Sequence, residues 1–174
     1  MEIVLADRAF ISIVLSSVEV FKKECLGALL GVQSRGQIFV EHAIPFQSVA
    51  KRSFTEVQAN WRRELKINEI LPKLTPLQKL GYFHSHPQFG KSKGTTILSD
   101  ADEESMIDTE IEIVVAINKT TQKNQWKESN NELVGCLNDF SVKIAGYYRK
   151  KDKIQKHRIV CPYTVGFDQA FYGR

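Results

Sequence analysis

The stretch of the chain that decides the fold is residues 80–87, with the sequence LGYFHSHP. A short apolar run bounded by turn-forming residues is typical of a buried strand, and this run leads directly into His84 and His86. Side chains alternate between the two faces of a strand, so the two imidazoles point to the same side. With this spacing a strand presents two nitrogen ligands to one metal ion.

The segments on both sides of this strand predict further strands interleaved with a few helices. Helices are expected from Asp7 to about Glu24, from a capping box at Ser53 to about residue 70, and from Ser99 onward. Strands are expected at residues 1–5, 37–44, 111–117, 132–137 and 140–148. The pattern indicates a single α/β (α+β) domain with a mixed sheet.

Composition places the chain among folded globular proteins with one core. Its 174 residues are 43% hydrophobic, which is sufficient to bury the core of one domain. The formal charge of +4, from 24 basic and 20 acidic residues, is too small to require a nucleic-acid partner. We expect one domain over residues 1–150, with a basic C-terminal extension over residues 151–174 that packs on it.

The cysteines indicate a reducing compartment. Cys25, Cys136 and Cys161 are odd in number, far apart and without the spacing of a zinc or redox pair. The first twenty residues lack a basic start and a cleavage site, so they do not predict a signal peptide. The apolar runs are far shorter than the roughly 20 residues of a membrane span. We therefore expect a cytoplasmic protein with no membrane partner.

A hydroxyl and a carboxylate follow the two histidines. Ser99 and Asp102 are three positions apart, and at a helix start this spacing places them on one face. They also fit a capping box, in which each side chain binds the other's backbone. Two His and one Asp make three protein ligands and leave a fourth position for water, as in a catalytic zinc site. Hydrolysis there needs a general base, for which Glu24 is a candidate if the fold brings it close.

These separate pieces resemble the motif of the JAMM (MPN-type) metalloproteases. The motif reads Glu-x-x-Gly, His-x-His-Pro and Ser-x-x-Asp, and the chain has these residues in this order at 24–27, 84–87 and 99–102. The resemblance extends from the first helix to about residue 148. It implies the MPN-type, cytidine-deaminase-like fold, in which helices flank a mixed curved β-sheet.

The resemblance also implies a role for each motif residue. His84, His86 and Asp102 would hold Zn²⁺, Glu24 would be the general base, and Ser99 would donate a hydrogen bond to the oxyanion. The implied activity is an isopeptidase that removes ubiquitin or a ubiquitin-like modifier from conjugates after its C-terminal glycine, a reaction in which partner subunits could take part. Two alternatives stay open: a processing peptidase for a sulfur-carrier or small-modifier precursor, and a noncatalytic MPN scaffold subunit.

The chain departs from the family pattern in one place. The segment between the second histidine and the serine, Pro87 to Leu98, is longer than the family usually has, and its Gly90–Gly94 portion is polar. We interpret it as an extended, flexible active-site loop. The predicted helix over residues 54–70 and the basic segment 149–158 fall where relatives carry insertions that bind substrate.

Overall fold

The structure is a computed structural model that describes residues 1–53 and 57–164. In these ranges it contains the helices α1 (Asp7–Glu19), α2 (Trp61–Leu74) and α3 (Asp100–Ser105), and a further helical stretch begins at Pro162. It also contains eleven strands: β1 (Glu2–Leu5), β2 (Leu26–Ser34), β3 (Gln37–Pro45), β4 (Val49–Arg52), β5 (Val57–Ala59), β6 (Gln78–Pro87), β7 (Ile111–Lys119), β8 (Lys127–Ser129), β9 (Glu132–Leu137), β10 (Phe140–Lys150) and β11 (Lys153–Val160).

Seven of the strands form a closed barrel. Their order is β11-β1-β3-β2-β6-β7-β10, and β10 pairs back with β11 to close the ring. Three of the pairings are parallel, β1 with β11, β1 with β3, and β6 with β7, whereas the other four are antiparallel. Strand β10 is long enough to pair with β9 along its first half and with β11 along its second half. Closure leaves these strands without a free edge.

The core lies on the inward face of the barrel. Along β7, Ile111, Ile113, Val115 and Ile117 alternate with outward residues, and none of the four is more than 1% exposed. They belong to one cluster with the apolar side of α1, which includes Phe10. Burial of each such large side chain stabilises the fold by about 1.5–3 kcal/mol. The helix therefore packs against the inward strand residues.

The expected α/β (α+β) sheet flanked by helices, the MPN-type fold, is wrong. The structure is built mostly of strands that close on themselves, and its helices do not form covering layers. Helix α2 buries none of its residues and α3 has only six, so neither can cover a sheet face. Within the described residues, no helix has both the length and the apolar character needed to cross a membrane.

The two longer helices also differ from the sequence predictions. Helix α1 ends at Glu19 rather than at Glu24, because Lys22 adopts a φ of 83° and the chain turns toward β2. Helix α2 begins at Trp61 and contains Pro72, with β5 preceding it. Most of the predicted capping box, residues 54–56, lies outside the described residues.

The expected boundary at residue 150 coincides with the end of β10. The next two residues form the turn into β11, which pairs with both β10 and β1. The described part of the basic extension thus includes a barrel strand. Residues 165–174 of that extension lie outside the described residues.

A close backbone approach at Gly81 yields a stability prediction. Gly81 has a φ of 144°, and a Cβ there would overlap the Ile111 carbonyl of the neighbouring strand. Gly81→Ala should therefore lower the free energy of unfolding by clearly more than about 1 kcal/mol, measured by urea denaturation. Gly36→Ala is the matched control, because Gly36 has a φ of 85° with open space around it. If the two variants lost the same free energy of unfolding, the close approach at Gly81 would not be the cause of the loss.

Candidate metal centre

The two histidines lie on the outer face of the barrel near the carboxyl end of β6. His84 and His86 alternate along β6 with Phe83 and Ser85, which are fully buried. In the parallel pairing of β6 with β7, His84 lies opposite Val114. The outward side of these two strands therefore carries both imidazoles.

The connection from β6 to β7 brings Asp102 to the same place. It contains α3, and the residues on either side of that helix, Leu98 and Met106, form a small apolar cluster with Val114. Because Val114 is the neighbour of His84 in the sheet, this packing holds the start of α3 against the imidazoles. The structure thus unites His84, His86 and Asp102, which are far apart in the sequence.

The distances between the three side chains match those of a metal site. The two Nε2 atoms are 3.0 Å apart, and Asp102 places Oδ1 3.5 Å from His84 Nε2 and Oδ2 3.5 Å from His86 Nε2. Zinc bonds of about 2.0–2.2 Å in a tetrahedron imply ligand atoms about 3.3–3.5 Å apart. A small shift would let all three side chains bind one ion.

The far nitrogen of each imidazole already has a partner. His84 Nδ1 lies 2.7 Å from Glu112 Oε1, and His86 Nδ1 lies 2.8 Å from the Thr95 carbonyl oxygen. A carbonyl and a carboxylate oxygen accept hydrogen bonds, so both imidazoles donate from Nδ1, and in its neutral form each ring carries a lone pair on Nε2. Two lone pairs 3.0 Å apart repel unless a cation, either a proton or a metal ion, lies between them.

The charges around His84 favour such a cation. Burial alone lowers the pKa of His84, but Asp102 and Glu112 outweigh it and raise the pKa to about 10. Burial likewise raises the pKa of Asp102, yet the adjacent imidazoles hold it well below its usual range. At neutral pH Asp102 is therefore ionised. The field that holds a proton on His84 also attracts a metal ion.

Sequence reasoning missed Glu112. It treated residues 111–117 only as a buried strand, although Glu112 is the single charged residue in that run. A carboxylate inside a buried strand needs a partner, since an unpaired buried charge is costly. Glu112 is 7% exposed and has His84 as its partner. The lone carboxylate in an apolar run was therefore a signal in the sequence. Its partner His84 could not be identified from that signal, because the contact depends on the pairing of β6 with β7.

Glu112 sets up a prediction about metal affinity. A carboxylate that accepts from a metal-ligating histidine orients the ring and makes it a better ligand. Glu112→Gln should keep a hydrogen bond to His84 but remove the charge, and weaken zinc binding about 10–100-fold. Competition with a fluorescent chelator measures this. Glu104→Gln, an exposed change on α3, is the control. Wild-type affinity in Glu112→Gln would contradict the role.

Ser99 and Asp102 form the capping box that the sequence left open as an alternative. Ser99 donates to Asp102 Oδ2 from both its backbone nitrogen and its hydroxyl, at 2.7 Å each, and Asp102 N donates to Ser99 Oγ at 3.2 Å. Ser99 therefore aims the Asp102 carboxylate at the imidazoles. The hydrogen bond from Ser99 to the oxyanion of the reaction stays a prediction.

Glu24 is held beside the same strand. Cys25 N donates to Ser85 Oγ at 2.9 Å, and Ser85 N donates to the Cys25 carbonyl at 3.1 Å. Leu26 pairs with His84 in the antiparallel register, and Glu24 precedes Leu26 by two residues, just outside β2. Opposed residues of an antiparallel pair share a face, and so do alternate residues. If this alternation continues to Glu24, it predicts that the buried Glu24 faces the histidine side.

The extended loop, Pro87 to Leu98, is tied to the barrel. Gly94 N donates to Asn118 Oδ1 at 2.8 Å, Asn118 Nδ2 donates back to the Gly94 carbonyl at 3.1 Å, and Tyr147 donates to the Thr96 carbonyl at 2.8 Å. These bonds flank Thr95, whose carbonyl accepts from His86. The loop predicted from its composition to be flexible thus helps to fix a histidine.

Comparison with known proteins supports the fold but not a family. No protein-family model matches the chain, and no curated protein matches it. Among solved structures, the chain is similar to the solution structure of protein DSY2949 from Desulfitobacterium hafniense. The TM-score is 0.64 at 18% identity, over 91% of this chain and 92% of that chain. At this identity the likeness shows the fold alone.

The resemblance to the JAMM family is therefore corrected. It implies an α/β MPN fold, whereas the chain forms a closed seven-stranded mixed barrel that it shares with DSY2949. The three motif pieces do occur and two of them meet in space, but motif order alone does not establish the family. Any function must be argued from the site itself.

Proposed function

We propose that the protein is a zinc-dependent hydrolase of amide bonds. The observation that carries the proposal is the convergence of His84, His86 and Asp102 at separations of 3.0–3.5 Å. Three protein ligands leave one position for water or substrate, which is the arrangement of catalytic rather than structural zinc. The acceptors on both Nδ1 atoms supply the outer support that metal-bound histidines need.

The residues around the donor set suit hydrolysis. When bound, Zn²⁺ would lower the pKa of a coordinated water and polarise the substrate carbonyl. Glu24 would accept the proton of the attacking water and return it to the leaving amine. Ser99 would keep Asp102 in place and could donate to the developing oxyanion by rotating its hydroxyl.

Two imidazoles and one carboxylate also bind iron(II), so these three ligands alone do not distinguish zinc from iron. The residue that favours zinc is Glu24, a second buried carboxylate, which precedes Leu26, the strand partner of His84. Hydrolysis requires a general base of this kind. Elemental analysis separates the two metals directly.

As substrate we propose the C-terminal tail of ubiquitin or a ubiquitin-like modifier, cleaved after its last glycine. A glycine-rich tail can bind by strand addition to a sheet edge and reach a narrow site. The pair β4–β5 forms a separate two-stranded sheet, and Ser53, directly after β4, accepts a hydrogen bond from Glu24 N. A sheet edge thus lies close to the proposed base.

The test is cleavage of defined substrates by the purified protein. Ubiquitin-like precursors with a peptide bond and conjugates with an isopeptide bond are incubated with and without a chelator, beside an unrelated unfolded peptide. We expect cleavage after the C-terminal glycine that stops with the chelator and returns with zinc. Cleavage confined to precursors would favour the processing peptidase. Chelator-resistant cleavage, or none in any sample, would contradict the proposal.

A further inference from the structure

The barrel has an open mouth at the end where β6 begins. The turns from β2 to β3 and from β10 to β11 lie at this end, and a cavity of about 330 Å³ opens between them. We call it the basic cup. Its lining includes Gln33, Tyr148, Lys150, Lys153, Gln155 and His157.

The pairing of β10 with β11 turns most of these side chains into the barrel. Gly146 lies opposite His157, Tyr148 opposite Gln155, and Lys150 opposite Lys153, so these alternate positions share one face. That face is the inner one, because a Cβ on Gly146 would touch Ile3 in the core. The cup is therefore the polar upper end of the barrel interior.

Two lysines face each other at the rim of the cup. Like charges directly opposite on neighbouring strands destabilise the pair unless an anion lies between them. Within the described residues, neither Lys150 nor Lys153 has an ion-pair partner, and no carboxylate lines the cup. The nearby Glu2 is bound to Arg158 instead. The cup thus carries positive charge without internal compensation.

The rest of the lining offers neutral hydrogen-bonding groups. Gln33 and Gln155 provide amides, and Tyr148 provides a phenol whose ring meets the His157 ring edge to face, with centroids 6.2 Å apart. Burial and the nearby α-amino group of Met1 lower the pKa of His157, so at neutral pH the charge of the cup comes from the lysines and from that amino group. Small-molecule sites begin at about 300 Å³ and often lie in barrel mouths.

We propose that the basic cup binds a small soluble phosphomonoester, with its phosphate between Lys150 and Lys153 and the rest of the ligand against the neutral groups. A phosphate dianion would balance both ammonium groups, and ionised partners make the strongest hydrogen bonds. The proposal does not depend on the zinc site, because His84 and His86 lie on the outer face of the barrel, whereas the cup opens on its inner face.

Binding is tested by calorimetry on the full chain with AMP, ribose 5-phosphate and phenyl phosphate, each beside its phosphate-free counterpart. We expect at least one ester to bind with one-to-one stoichiometry and its counterpart not to bind. The double variant Lys150→Met/Lys153→Met should weaken that binding at least about tenfold. Circular dichroism checks that the variant, whose changed residues are exposed, is folded.

The matched control is Lys123→Met/Lys127→Met, which removes the same charge from exposed positions outside the cup and should bind as the wild type does. No ester binding at millimolar concentration would overturn the proposal, and so would equal weakening in the two double variants. Vesicles that contain phosphatidic acid test a lipid source of the same group. Binding to vesicles but to no soluble ester would also contradict the proposal.

Discussion

Glu24→Gln is expected to slow amide-bond cleavage by about 10²–10⁴-fold, the usual contribution of a general base. Glutamine has nearly the same size and keeps a polar side chain, but it cannot accept the proton of the attacking water. Because Glu24 is not one of the three clustered donor residues, the variant should bind zinc as the wild type does. Cleavage rates and zinc content are measured on the same preparations.

The control for this variant is Glu19→Gln, which makes the same change at an exposed position at the end of α1. It should cleave at the wild-type rate. If Glu24→Gln kept full activity, a different group would have to serve as base. If it lost zinc together with activity, Glu24 would act in the metal site and not as the base.

Asp102→Asn should remove both zinc and activity. The amide is a far weaker ligand than the carboxylate, and it lacks the negative charge that attracts a cation to the imidazoles. We expect zinc affinity to fall by more than about 100-fold, beyond the upper range for residues that only support a ligand. Competition with a chelator gives the affinity, and the cleavage assay gives the activity.

Asp100→Asn tests whether zinc binding depends on the position of the Asp102 carboxylate or only on negative charge near the histidines. Asp100 is an exposed carboxylate at the start of the same helix, α3, and it does not belong to the cluster that could hold a metal. This variant should keep both zinc and activity. Loss of zinc in Asp100→Asn, with retention of zinc in Asp102→Asn, would show that Asp100 and not Asp102 is the metal ligand.

The local parts of the candidate site could be predicted from the sequence. Strand alternation places His84 and His86 on one side, and the capping pattern places Ser99 and Asp102 together at a helix start. Both features depend on residues within a few positions of one another. Glu112 could not be assigned in the same way, because its contact with His84 depends on which strand pairs with β6 and in which register.

Barrel closure is not visible in the local patterns. It requires β1 to pair with β11 from the far end of the chain, and β10 to pair with both β7 and β11. Alternation of apolar residues is the same in an open sheet and in a closed one. The motif pieces describe a site rather than its scaffold, so they misled the fold prediction while still marking residues that meet in space.

Elemental analysis of the full chain, purified without chelator, tests the central claim most directly. The claim is that His84, His86 and Asp102 hold one zinc ion. It predicts about one equivalent of zinc per chain in the wild type and in Glu24→Gln, and only traces in Asp102→Asn. Trace metal in the wild type, iron in place of zinc, or full zinc content in Asp102→Asn would contradict it.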